Sequence, residues 1–203
     1  MKRVEWVLFD LGGVLVNVDQ ARIFTNLARN SGLDPDFVKE QLLRAVPLNS
    51  DFITKEYLPK QIAREVNVAL GTSLSETQVV ESINAELGET IGSTAELLTS
   101  LRSKVRIGCL SNTNSIHWDR LLNCYSFMSE FDRRFASQIV GHAKPGARIY
   151  IEVAKHLGVS GNEILFFDDR EENIEAALKL GWHAKLYREH GNLISDLGEF
   201  GLG

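Results

Sequence analysis

Three short apolar runs constrain this chain more than anything else in it: "VEWVLFD" at 4–10, "KVRIGCLS" at 104–111 and "EILFFDD" at 163–169. Each is short, apolar without alternation and bounded by polar residues or glycine, the pattern of a strand covered on both faces. A weaker fourth run, "HAKLYR" at 183–188, follows Gly181, which would stop a helix. Amphipathic stretches separate the runs. "PGARIYIEVAKHLGV" spaces Ile149, Val153 and Leu157 four apart and closes on Gly158, and "REENIEAALKLGW" carries Ile174, Ala177 and Leu178 before Gly181. Strands that alternate with helices predict an α/β fold with a doubly wound parallel sheet.

One region breaks the alternation. Between Val18 and Gly92 no strand is evident, and four helical patterns follow one another: "QARIFTNLARNSG", "DPDFVKEQLLRAV", "ITKEYLPKQIAREVNVAL" and "SETQVVESINAEL". Asp34-Pro35 opens the second, an N-cap followed by proline at the first helical position. Pro59 falls inside the third and is expected to kink or divide it. "GSTAELLTSLRSK" then returns to the core as a helix. The expected organisation is a core of residues 1–17 and 93–203 with an all-helical insert, 18–92, after the first strand.

With 203 residues, 44% hydrophobic and 24% charged, the chain has the composition of a globular domain rather than a disordered one. A net charge of −5 gives no electrostatic footprint for nucleic acid or an anionic membrane. No stretch reaches the roughly 18 apolar residues of a membrane span, and "MKRVEWVLFD" lacks the apolar stretch and cleavage site of a signal peptide. Cys109, inside an apolar run, reads as a small buried hydrophobe, and with Cys124 it makes no disulfide framework. The expected location is the cytoplasm.

The three strong runs end in polar groups: Asp10, Ser111-Asn112 and Asp168-Asp169. An open parallel sheet binds ligands outside the carboxyl ends of its strands, so one edge would collect carboxylates, a hydroxyl and an amide. A single acid after a strand is commonly a helix cap; three strands ending this way together weaken that reading. Clustered carboxylates repel one another and resist removal from water. A divalent cation with oxygen ligands relieves both problems, and magnesium commonly takes one or two carboxylates, waters and a phosphate oxygen. Lys144-Pro145, in "GHAKPGARIY", adds a cation ahead of a helix start, where proline holds the backbone.

These residues carry a resemblance. "FDLGGVL", "LSNTN", "AKP" and "FFDDREEN" resemble, in order and at compatible spacing, the four motifs of the haloacid dehalogenase-like (HAD) hydrolase superfamily. The helical insert resembles its small cap. Within the superfamily they are similar to the sugar-phosphate phosphatases that include α-D-glucose-1-phosphate phosphatase. The resemblance implies a magnesium-dependent phosphatase acting on a small phosphorylated molecule. Asp10 would be the nucleophile, forming an aspartyl-phosphate. Asp10, the Gly12 backbone carbonyl and Asp169 would hold the metal, with Asp168 as a second, less central acid that orients Lys144 or a metal-bound water. Ser111 and the backbone amide of Asn112 would hold phosphoryl oxygens, and Lys144 would neutralise charge on nucleophile and phosphate. Asn173 would support the Asp169 loop, His117 and Trp118 would line the pocket or pack a helix, and His142 stays open. Arg22, Phe24, Phe52 and Tyr57 are candidate substrate contacts by position only, against a reading of each as packing or surface.

At Gly12 the chain departs from the phosphatase pattern, in which a second aspartate donates a proton to the leaving oxygen and later activates water. That role is typically worth about 10²- to 10⁴-fold in rate. Three readings follow. The enzyme is a phosphatase for esters that need little protonation, such as an anomeric hexose phosphate; or a dehalogenase acting on a small 2-haloacid; or a catalytically weak module that binds a phosphorylated ligand. A glycine-rich dinucleotide loop is excluded, because "DLGGVLV" lacks the G-x-G-x-x-G spacing and a helix opening on it. Asp19 lies too far along the chain to be assumed as the replacement acid.

Overall fold

The computed structural model describes residues 4–45 and 53–203. The strands are β1 (Trp6–Phe9), β2 (Val16–Val18), β3 (Leu87–Thr90), β4 (Arg106–Ser111), β5 (Arg133–Ala136), β6 (Ile164–Asp168) and β7 (His183–Leu186). The helices are α1 (Ala21–Ser31), α2 (Pro35–Ala45), α3 (Pro59–Leu70), α4 (Glu76–Asn84), α5 (Thr94–Arg102), α6 (Ser115–Cys124), α7 (Ser137–Val140), α8 (Ala147–Leu157), α9 (Glu171–Lys179) and α10 (His190–Gly198).

Among the described residues one sheet of five parallel strands runs in the order β5-β4-β1-β6-β7. The four runs read as strands are β1, β4, β6 and β7. Both faces of the central strands are covered, as their unbroken apolar character requires: every residue of β1 and β6 is buried. Val7, Phe9, Ile107 and Phe167 face one apolar cluster with α5, α6 and α10. Trp6, Leu8, Leu110 and Phe166 face the other, with α8 and α9. The chain builds the β4 side and the β6 side separately, so the strand order reverses at β1, and β1 sits at the topological switch point.

The helical stretch folds as its periodicity requires. Ile23, Leu27, Val38, Leu42, Ile62, Val66, Val79 and Ile83 from α1 to α4 bury one another in a third cluster, joined by Ile116 of α6. Asp34 caps α2, its Oδ1 accepting from the backbone N–H groups of Asp36 at 3.0 Å and Phe37 at 3.1 Å. Pro59 divides the third pattern, and α3 starts on it. No helix among the described residues is long and apolar enough to cross a membrane.

Two expectations are corrected. The stretch from Val18 to Gly92 does contain strand: β2 and β3 pair antiparallel, Val16 with Thr90 and Val18 with Leu87, carrying the chain out to the helices and back. The pattern "SETQVVESINAEL" therefore stops being helix at Asn84, and Leu87 belongs to β3. The edge strand β5, "RRFA", escaped the sequence reading because it is short, carries two exposed arginines and pairs with β4 alone.

Candidate active site

Asp10 leaves β1 with its N–H donating to Phe167 O at 2.8 Å, which carries the β1–β6 pairing one residue past the strand. Its carboxylate Oδ1 accepts from Leu11 N at 2.8 Å and lies 3.0 Å from Lys144 Nζ. Lys144, its side chain fully enclosed, donates also to Asp168 Oδ2 at 2.6 Å and to the Leu110 carbonyl at 2.8 Å. One ammonium thus ties the end of β4 to the acids after β1 and at the end of β6. Asn112 holds the backbone of this lysine in place: its Oδ1 accepts from Lys144 N at 2.9 Å and its Nδ2 donates to Lys144 O at 2.8 Å. The side chain of Asn112 is thereby occupied.

Asp168 is equally fixed. Its Oδ1 accepts from Arg170 N at 2.9 Å and from Asn173 Nδ2 at 2.8 Å, so Asn173 supports Asp168 rather than the residue after it. Asp169 is exposed, and ligand oxygens of Asp10, Asp168 and Asp169 all lie within 4.8 Å of one another. Gly13, at φ 77°, lies against Asp169: a Cβ there would sit 2.2 Å from Asp169 Oδ2. Burial pushes the Asp10 carboxyl up to about 6, against the pull of Lys144 and helped by Asp168. Burial and Asp168 raise Asp169 as well. Three close carboxylates share one buried ammonium, an all-oxygen set with negative charge left over, which suits a hard divalent cation.

A cavity of about 260 Å³ opens over these strand ends, lined among others by Asp10, Gly12, Ser111, Asn112, Lys144 and Asp169. All the expected site residues except Asp168 line it; Asp168 is fully buried and bonded to Lys144. A second cavity of about 180 Å³ adjoins it among α1, α3 and α4, walled by Ile23, Leu27, Ile62, Val66 and Ile83. Glu86, Asn112, Thr113 and His117 line both.

Of the remaining candidates, His117 lines the cavities and Trp118 packs in the core. Phe24 is buried among the helices, Tyr57 packs against the same cluster, and Arg22 is an exposed partner of Asp19; Phe52 lies outside the described residues. His142 is half-buried and lines neither cavity. Cys109 is buried, and its thiol is pushed up to about 12 by that burial. The sequence reading missed Glu86, Asn114 and Arg170. Glu86 sits at the tail of a helical pattern, where a glutamate reads as solvated surface. Asn114 was visible in "LSNTNSIH" as an N-cap, and it does cap α6.

A parallel sheet whose switch point holds clustered acids around a buried lysine defines a class of α/β hydrolase. The chain belongs to the haloacid dehalogenase-like hydrolases, whose family model matches residues 4–181. Among curated relatives it is similar to Phosphatase MT3486 of Mycobacterium tuberculosis, 28% identical over 206 residues, covering 96% of this chain and 94% of the relative. Among solved structures it resembles the HAD family enzyme bt-2542 of Bacteroides thetaiotaomicron in complex with magnesium and inorganic phosphate. That likeness has 26% identity and a TM-score of 0.81, over 92% of this chain and 96% of the other. The defluorinating L-2-haloacid dehalogenase Rha0230 shares the fold, at 22% identity and a TM-score of 0.66, over 90% and 80% of the two chains.

Proposed function

We propose that the protein is a magnesium-dependent phosphatase that hydrolyses a small phosphomonoester through an aspartyl-phosphate on Asp10. The helical segment 18–92 serves as a cap over a core of residues 1–17 and 93–203. The observation that carries this reading is Lys144, buried 3.0 Å from Asp10 and 2.6 Å from Asp168 beneath a cavity that Asp169 and Ser111 also line. The magnesium found with phosphate in the Bacteroides enzyme and the phosphatase name of the mycobacterial relative support it.

Asp10, Asp169 and the Gly12 carbonyl would hold the metal, with Asp168 steadying Lys144. Bound there, magnesium supplies positive charge to the phosphoryl oxygens. The residues do the rest. Ser111 and the Asn112 amide orient the phosphoryl group, and Lys144 offsets charge on Asp10 and phosphate. Asp10 attacks phosphorus in line as the leaving oxygen departs, and water then releases inorganic phosphate from Asp10. The leaving group occupies the adjoining cavity, where the aliphatic wall suits the C–H face of a sugar ring. The finer expectation, an anomeric hexose phosphate, rests on Gly12 and holds only if no other carboxyl group takes the missing acid's place.

The test is phosphate release from a panel of sugar and alkyl phosphates, with magnesium and with chelator, for wild type and Asp10→Asn. Release should depend on metal and fall by at least about 10⁴-fold in the variant, as for other lost nucleophiles. Full activity of Asp10→Asn would exclude the covalent route. Halide release from 2-haloacids without metal would replace the reading by a dehalogenase.

A further inference from the structure

We propose that Glu86 is the general acid and base of this site, delivering from the helical side the proton transfer that Gly12 cannot; the proposal rests on the phosphatase reading above. Among the described residues, the carboxylates that line the cavity over the strand ends are Asp10, Asp169 and Glu86. Asp10 is taken as the nucleophile and Asp169 as a metal ligand. Asp168 is enclosed and committed to Lys144, Asn173 and Arg170 N. Asp19 faces away: its Oδ1 accepts from Ala21 N at 3.1 Å, its Oδ2 lies 3.7 Å from Arg22 Nε, and its side chain is 59% exposed. Glu86 remains.

Its place in the fold fits the role. A Cβ on Gly12 would meet Val18 Cγ1 at 3.1 Å, so a side chain at position 12 would lie against β2. Val18 pairs with Leu87 across the two-stranded sheet, and the Glu86 carbonyl accepts from Asp19 N at 2.9 Å. Glu86 is therefore anchored beside the strand that an acid at position 12 would touch. It also lines both cavities, at the border where the bridging oxygen between phosphoryl group and leaving group would sit.

Its carboxylate lies beside a fixed imidazole. Glu86 Oε2 lies 3.5 Å from His117 Nε2. Asn114 Oδ1 accepts from His117 N at 3.0 Å, so its Nδ2, 3.1 Å from His117 Nδ1, is the donor of that pair. The Nε2 position then carries the ring proton, which it donates to Ile83 O at 2.9 Å, and the Glu86 carboxylate stands beside that ring edge. The charged or titratable groups that act on Glu86 are His117 from α6 and Asp19 after β2; burial and Asp19 raise its carboxyl above the ordinary value, against His117. Such a carboxyl keeps a protonated fraction nearer neutrality, as an acid catalyst requires.

The steps balance. As the Asp10 oxygen bonds to phosphorus and the bond to the leaving oxygen breaks, the Glu86 carboxyl gives that oxygen its proton and an alcohol departs. The Glu86 carboxylate then takes a proton from water as the water oxygen bonds to phosphorus and the phosphorus–Asp10 bond breaks. Inorganic phosphate leaves, with Glu86 again protonated. The restriction to anomeric esters then falls away, and ordinary alkyl phosphates enter the substrate class.

The experiment compares wild type and Glu86→Gln on a hexose 6-phosphate and on p-nitrophenyl phosphate, whose leaving group departs without a proton. The variant should lose about 10²- to 10⁴-fold in turnover of the alkyl ester. On the aryl ester it should keep a rapid first turnover, a burst of one nitrophenolate per site followed by slow turnover with phosphate trapped on Asp10. The burst counts folded sites, which separates lost chemistry from lost structure. Unchanged turnover of both esters, or loss of both with no burst, overturns the assignment. If wild type releases no phosphate from either, the phosphatase reading fails first and takes this one with it.

Discussion

Asp10 is the side chain on which opposing forces meet. Lys144 draws its proton off, while burial and the nearby Asp168 charge hold it on, and the balance puts its carboxyl at about 6 against an ordinary 3.8. A folded-state value above the unfolded one means that the folded protein binds more protons across that window. In the metal-free protein the contribution of Asp10 to stability therefore grows as pH falls from about 6 towards 4 and is lost as pH rises through 6. A cation held, as proposed, by Asp10 and Asp169 would compete with those same protons. Magnesium should accordingly raise the melting temperature more near pH 7 than near pH 5, and Asp10→Asn should erase most of that difference. Melting curves with saturating magnesium and with chelator, at both pH values, check it; an equal shift at both would place the metal elsewhere.

At the scale of elements, the turn between β1 and β2 packs against Asp169, the proposed metal ligand. Gly13 holds φ 77°, and its missing Cβ is what lets Asp169 Oδ2 approach. Gly13→Ala should strain the backbone by about 1 kcal/mol and push the Asp169 carboxylate away. Magnesium affinity, measured by calorimetry, should fall while β1 and its neighbours keep their protection from hydrogen exchange; unchanged affinity would mean that Asp169 is not a ligand. The glycine was legible in "FDLGGVL" as a turn, but its contact with Asp169, 156 residues on, was not. The same divide runs through the fold. β1, β4 and β6 announced themselves because burial on both faces demands an unbroken apolar run, and α2 because Asp34-Pro35 is a local start signal. β2, β3 and β5 are three or four residues long and partly exposed, so their pairing comes from the tertiary fold and leaves no period to read. Glu86 was hidden for the same reason: the role proposed for it depends on the β2–β3 pairing, which brings it to the cavity that Gly12 also lines.

For the molecule as a whole, the proposed reaction divides between the two cavities. The strand ends would grip what all phosphomonoesters share, and the aliphatic wall of α1, α3 and α4 would meet what distinguishes them. Val66 of α3 is 3% exposed and lines the second cavity but not the first. Val66→Phe fills that space, at a stability cost of about 1–3 kcal/mol for overpacking. If the leaving group enters there, kcat/KM should fall by about 10- to 200-fold, the discrimination that one or two carbons produce in a hydrophobic pocket. Larger leaving groups should lose most. Inhibition by inorganic phosphate, which uses only the strand-end cavity, should stay as it is in wild type, and that comparison guards against a general loss of folding. A parallel loss of phosphate affinity would mean that the helical wall shapes the phosphate site itself; no loss of either would mean that the leaving group points out to solvent.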